Sequence, residues 1–167
     1  MKIIKLKGGL GNQMFQYAFA KLIQKRTGED VKLDFSSYSS LTNDSIRVPR
    51  ILRFKTTLNS ATKSEIRDAL VFSHEGNSLS FPYKLGIVAE RIFNYKYYFE
   101  NNRSYINPSK LLSKVYFDGY WQSYIYVDEV FDELKNEFTP IFISDRTMEM
   151  SKIMNNQNSI FVGVRRG

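Results

Sequence analysis

The sequence predicts an α/β protein built on a parallel sheet, and three stretches carry that expectation. Near the start, the strand-like run Ile3-Ile4-Lys5-Leu6 passes through Gly8-Gly9-Leu10-Gly11 into a helical run with Phe15, Phe19, Leu22 and Ile23. Further on, short strand-like runs alternate with helical stripes. Finally, Ser159-Ile160-Phe161-Val162-Gly163-Val164 is the continuous apolar kind of strand found in buried parallel sheets. Strand, glycine turn and helix follow one another in the first of these stretches. In that layout backbone N–H groups and a helix N-terminus converge on an anion.

The elements follow in order. Lys2–Leu6 reads as the first strand, and Asn12–Arg26 as a largely buried helix with Asn12 as a candidate cap and Gly28 closing its C-terminus. Val31–Asp34 is a second strand. Asp34 at its end suits either a ribose hydroxyl or the Ser36-Ser37 turn. Residues 36–60 are polar and irregular, with Arg47, Arg50, Arg53 and Lys55 reading as a solvated basic face. Ala61–Phe72 has helical spacing, and 73–80 is a turn region. Tyr83–Tyr98 reads as a helix, with a strand as the alternative for Tyr95–Phe99. Lys114–Phe117 is a strand, Tyr126–Phe138 a helix with a stripe at Val127, Val130, Phe131, Leu134 and Phe138, and Ser144–Asn155 another helix capped by Ser144 or Asp145. Asp128 and Asp132 sit one turn apart as surface charge. The chain stops at Arg165-Arg166-Gly167, where a further βα unit would begin, so it reads as a fragment of a longer protein.

Composition narrows the function classes. No cysteine is present, so neither a disulfide nor a thiolate metal site belongs to this chain. The one histidine, His74, sits in the polar stretch Ser-His-Glu-Gly-Asn and reads as a loop residue. No run approaches the roughly 20 apolar residues needed to span a bilayer, and no signal peptide opens the chain, so a cytoplasmic protein is expected. The net charge of +7 suits a pyrophosphate-bearing substrate, an anionic membrane surface or nucleic acid. The cations are scattered and the aromatics fall at core-like spacings, which argues against a nucleic-acid partner.

Three motifs carry the chemistry. The first is Gly8-Gly9-Leu10-Gly11-Asn12-Gln13-Met14-Phe15-Gln16-Tyr17-Ala18. It fits neither the dinucleotide fingerprint, whose third glycine would fall at Met14, nor the P-loop, which needs a following Gly-Lys-Ser/Thr. The second is Gly119-Tyr120-Trp121-Gln122-Ser123, followed by Tyr126. The third is Val164-Arg165-Arg166-Gly167. In this order they resemble the glycine signature, the Gly-Tyr-aromatic-Gln-Ser segment and the beginning of the His-x-Arg-Arg-Gly-Asp motif of the bacterial-type α-1,2-fucosyltransferases. That family is GDP-fucose-dependent and inverting. Two departures stand out: the motif histidine is replaced by Gly163, and the motif aspartate would be residue 168.

The resemblance implies a GT-B-type enzyme of two Rossmann-like domains. Residues 1–157 would form the first, and 158–167 the opening strand of a truncated donor-binding domain. It implies a galactoside 2-α-L-fucosyltransferase acting in surface-polysaccharide synthesis, with GDP-fucose as donor, a galactose-terminated glycan as acceptor, and this piece inactive alone. Arg165 would grip the donor diphosphate and Arg166 would support it. Gly9, Gly11, Asn12 and Gln13 would approach the donor from the first domain, and Tyr120, Trp121 and Gln122 would line the cleft. No general base is assigned by these residues. No Asp-x-Asp and no histidine cluster is present, so a metal-free reaction without cofactor is expected, with leaving-group charge held by arginine and backbone N–H groups. Peripheral association with the inner face of an anionic membrane fits the charge. A transferase using another GDP-sugar or linkage is the alternative, with a basic nucleotide- or nucleic-acid-binding module behind it.

Overall fold

The computed structural model describes residues 1–38, 48–72, 81–101, 105–160 and 162–164. Four short strands make one wholly parallel sheet: β1 (Lys2–Lys5), β2 (Val31–Asp34), β3 (Tyr97–Phe99) and β4 (Tyr116–Asp118). Their spatial order is β2-β1-β4-β3. The chain builds outward from β1 to β2, then returns to fill the other side, so β1 and β4 become central neighbours. Ile3 pairs with Tyr116, Ile4 with Phe117 and Lys5 with Asp118. The carboxyl ends of these two strands, where open α/β sheets bind ligands, therefore lie side by side.

Side-chain alternation divides the core between two faces. On one face Ile4, Leu6, Leu33 and Phe117 pack against α1 (Leu10–Thr27). Tyr17, Phe19, Leu22 and Ile23 of that helix are fully buried. On the other face Ile3, Tyr97 and Tyr116 meet Ile66 and Ala69 of α2 (Lys63–Ala69). Thr62 and Glu65 start α2 with a capping box, each side chain bonding the other's backbone N–H. Helix α3 (Phe81–Phe93) precedes β3, which resolves the ambiguous 83–98 stretch into a helix and then a strand.

Three expectations are corrected. The first helix begins at Leu10 with Gly9 as its N-cap, so Asn12 lies inside the first turn and does not cap it. Its C-terminus is as expected: Gly28 is left-handed at φ 66°, and its N–H bonds the Gln24 carbonyl at 2.8 Å. The 126–138 stripe is two helices, α4 (Tyr124–Asp128) and α5 (Phe131–Glu137). They part at Glu129 because α1 claims that residue: Lys25 Nζ donates to the Glu129 carbonyl at 2.7 Å, and Arg26 Nε to its carboxylate at 2.9 Å. A local stripe cannot register such a tertiary contact. Last, Ile160 and Val162–Val164 form no strand; Ile160 is 91% exposed. The apolar run finds no neighbouring strand to pair with among the described residues.

Helix α6 (Asp145–Asn155) follows Ser144, whose side chain accepts from the Thr147 N–H as expected of an N-cap. None of its residues is buried. No helix among the described residues is long and apolar enough to cross a membrane.

Candidate functional site

The site grows from the end of β1. Gly8 adopts φ 82°, a left-handed conformation that side chains rarely take. Its carbonyl accepts from Gln13 Nε2 and from the Tyr38 hydroxyl, each at 3.1 Å. Gly9 then caps α1 in extended conformation without a side-chain bond, and the first turn carries no acidic residue. The N–H groups that open this helix thus receive no cap from the Gly9 position, and the helix places no carboxylate of its own at the positive end of its dipole. A Cβ built on Gly9 or Gly11 would meet nothing within 4 Å. This is an open edge of main chain, suited to the close approach of an anion.

The end of β4 supplies the facing segment. Gln16, fully buried, ties the two together: its Oε1 accepts from the Lys7 N–H at 3.0 Å, and its Nε2 donates to the carbonyls of Lys7 and Gly119 at 3.2 and 3.1 Å. Glu100, just after β3, takes the N–H groups of Tyr120 and Trp121 on one carboxylate oxygen at 2.6 and 3.1 Å. At the surface Gln122 Nε2 donates to Asn12 Oδ1 at 2.6 Å. Two motifs more than a hundred residues apart in sequence therefore form one hydrogen-bonded rim.

Charge is arranged beneath that rim. Asp118 is buried at the end of β4, bonded to Lys7 Nζ and to the Tyr97 hydroxyl at 3.3 Å, with Lys5 Nζ at 3.7 Å. Burial raises its pKa, but Lys5 and Lys7 together outweigh that and hold it below the usual aspartate value. Lys7 also lies 4.8 Å from the Tyr120 ring centroid and 5.5 Å from that of Phe99. On the next strand, Asp34 accepts from the Ser36 N–H at 2.7 Å and the Ser36 hydroxyl at 3.0 Å, and bonds the Tyr116 hydroxyl. The turn-capping reading of Asp34 is the one its contacts match.

The sequence-derived residues divide accordingly. Gly9, Gly11, Asn12, Tyr120 and Gln122 come together at the open rim. Gln13 is buried and fully engaged: besides Gly8 it donates to the Val48 carbonyl at 3.1 Å and accepts from the Ile51 N–H at 2.9 Å, fastening the 48–51 segment to the turn. Trp121 faces the core and not the cleft, fully buried and stacked on Phe19 with ring centroids 3.8 Å apart. Arg165, Arg166 and Gly167 lie outside the described residues, as do His74, Arg47 and the 73–80 turn region. Lys7, Gln16 and Glu100 were not singled out from sequence. Gln16 carried a usable signal, as an amide on an otherwise apolar helix face, whereas Glu100 carried none. Among the described residues, no group of three or more histidines, cysteines or carboxylates is placed to hold a metal ion.

Comparison with known proteins adds one finding. The chain is 30% identical over 168 residues to an alpha-1,2-colitosyltransferase of Escherichia coli, covering 99% of this chain and 54% of that protein. The likeness is to a glycosyltransferase. The chain spans about half the length of that relative. Neither a protein-family model nor a solved structure matches the chain.

Proposed function

We propose that the protein carrying this chain is a galactoside α-1,2-fucosyltransferase, taking L-fucose from GDP-fucose to the 2-hydroxyl of a galactose-terminated glycan. The observation that carries this reading is the rim itself. The glycine turn and the Gly119–Ser123 segment, the two motifs of the resemblance that lie within the described residues, meet at the carboxyl ends of adjacent central strands through Asn12–Gln122 and Gln16. In a GT-B arrangement this rim is the first-domain wall of the donor cleft. As the bond to the diphosphate breaks, negative charge grows on the leaving oxygens. The uncapped N–H groups of α1 and the Asn12 amide are fixed donors for it, and Arg165 is the residue that the resemblance assigns to grip the diphosphate. An acceptor hydroxyl attacking from the opposite side of the anomeric carbon inverts that centre, with its proton passing to a base. A cytoplasmic site of action goes with this reading, and the net charge of +7 favours contact with an anionic membrane surface.

A second donor is favoured by the relative's name. Colitose is fucose without its 3-hydroxyl, so the two donors share diphosphate, nucleoside and most of the sugar. Assaying the complete protein with GDP-fucose, GDP-colitose and GDP-mannose against a galactoside separates them. Turnover with GDP-fucose that survives a chelator is the expected result. Turnover with GDP-colitose alone moves the donor assignment to that sugar, transfer from GDP-mannose alone overturns it, and loss of activity in chelator overturns the metal-free mechanism.

A further inference from the structure

An amide side chain has one accepting end and one donating end, so whatever occupies the oxygen decides what the nitrogen can do. Asn12 is in that position. Its Oδ1 is taken by Gln122 Nε2 at 2.6 Å. Its Nδ2 lies over Gly8, in the volume that a Cβ at residue 8 would fill. No hydrogen bond from that nitrogen to another described residue forms, and beside it Gly9 and Gly11 leave the main chain open. The rim thus presents N–H donors from both its backbone and its side chain.

Gln122 is itself held in place. Gly119 is bonded to Gln16, Tyr120 and Trp121 are bonded to Glu100, and the Trp121 ring is locked against Phe19. Trp121 sits at φ 54°, and among the described residues it is the one non-glycine in the left-handed region. Backbone strain of that kind persists only where the surroundings over-determine it. Its effect here is to bury residue 121 while turning residue 122 out towards α1.

We propose that Gln122 is a positioning residue: by donating to Asn12 Oδ1 it keeps the Asn12 NH2 group facing the glycine turn, and so selects a ligand that offers anionic oxygen there, the diphosphate of a sugar nucleotide. The inference rests on reading the rim as a donor cleft, and the test separates the two. GDP is titrated into the complete protein and into its Asn12→Ala, Gln122→Ala, Gln122→Glu and Asn12→Ala/Gln122→Ala forms, with KM and kcat for the donor measured on each. Gln122→Ala should weaken GDP binding about tenfold, by freeing the amide to turn. Gln122→Glu should weaken it further, because a carboxylate repels Oδ1 and favours the flipped amide with its oxygen towards the anion. In the Asn12→Ala background the Gln122→Ala change should have almost no additional effect, because its target is gone. Gln122 is exposed, so thermal stability should hardly move, and the loss should fall on donor KM more than on kcat. Unchanged GDP affinity in Gln122→Ala, or an equal loss in the Asn12→Ala background, overturns the positioning role while leaving the cleft. If Asn12→Ala itself has no effect, the donor-cleft reading goes and this inference with it.

Discussion

At φ 82° Gly8 occupies backbone space that a side chain enters only with strain, and the Asn12 amide already fills the volume a Cβ would need. Gly8→Ala should therefore destabilise the fold by at least about 1–2 kcal/mol and dislodge Asn12 as well, which denaturant melts and GDP titration would register separately. Gly11 is the opposite case. It lies within the first turn of α1 with open space around it, so Gly11→Ala should raise stability by about 0.5–1 kcal/mol. If a donor approaches that edge, the same substitution should weaken GDP binding. A stabilised variant with unaltered binding would argue that nothing docks there. Elsewhere, Tyr17 bonds Glu137 within the core and accepts the Thr57 N–H at 2.9 Å, while Lys21 Nζ pairs with Glu137 at 2.9 Å. Burial, reinforced by Glu137, pushes the Tyr17 hydroxyl up to about 12. Burial raises the Glu137 pKa, but bonds from Tyr17 and Lys21 outweigh it and the net shift is downward. The folded protein thus favours neutral Tyr17 and ionised Glu137. The Tyr17 contribution is whole below about pH 10 and disappears as pH rises through about 12. That of Glu137 is present above the ordinary carboxylate range and fades as pH falls through its lowered value. Tyr17→Phe should cost about 1–3 kcal/mol near neutral pH and flatten the alkaline limb of a stability–pH curve.

Among the elements, β1, α1 and β2 could be read from sequence because local pattern and tertiary role agree: an apolar run, a glycine turn, an apolar helix and Gly28 in the left-handed C-terminal position. The break between α4 and α5 could not, since Lys25 and Arg26 of α1 decide it from a hundred residues away. The candidate site divides in the same way. Gly9, Gly11 and Asn12 were legible as one contiguous motif, whereas the bond from Gln122 to Asn12 depends on β1 and β4 lying side by side. No one-dimensional pattern holds that adjacency. Likewise Trp121 looks from sequence like a ring for a cleft, and only its left-handed backbone sends it inward. Helix α6 offers an element-scale test. Ser144 caps it, yet no residue of α6 is buried, so Ser144→Ala should remove about 0.5–2 kcal/mol of helix stability with little change in the global melting temperature. Hydrogen exchange should find α6 amides among the least protected in the protein, before and after the change.

At the scale of the molecule, apolar exposure among the described residues is concentrated towards the C-terminal third. Ile141, Phe142, Ile143, Met148, Met150, Ile153, Ile160, Val162 and Val164 are all exposed, Phe142 at 81%. Among the described residues the sheet and its two layers of helix close without them, because both core clusters draw on residues no later than Phe138. Residues 1–140 should therefore fold cooperatively when expressed alone, with a melting temperature close to that of the 167-residue chain. A collapse of the transition on removing residues 141–167 would show that this segment belongs to the folding unit after all.

This chain has one tryptophan, and the fold has placed it directly behind the rim. The indole is shielded from water, stacked on Phe19 and, among the described residues, without a hydrogen-bond partner for its Nε1. An excited indole in such surroundings has little solvent to relax it, so emission should lie well to the blue and shift red on unfolding. Its backbone is held by Glu100 and runs straight into Gln122. Any ligand that tugs on the rim is therefore coupled to a built-in fluorophore, and occupancy could be followed by intensity and anisotropy without attaching a label.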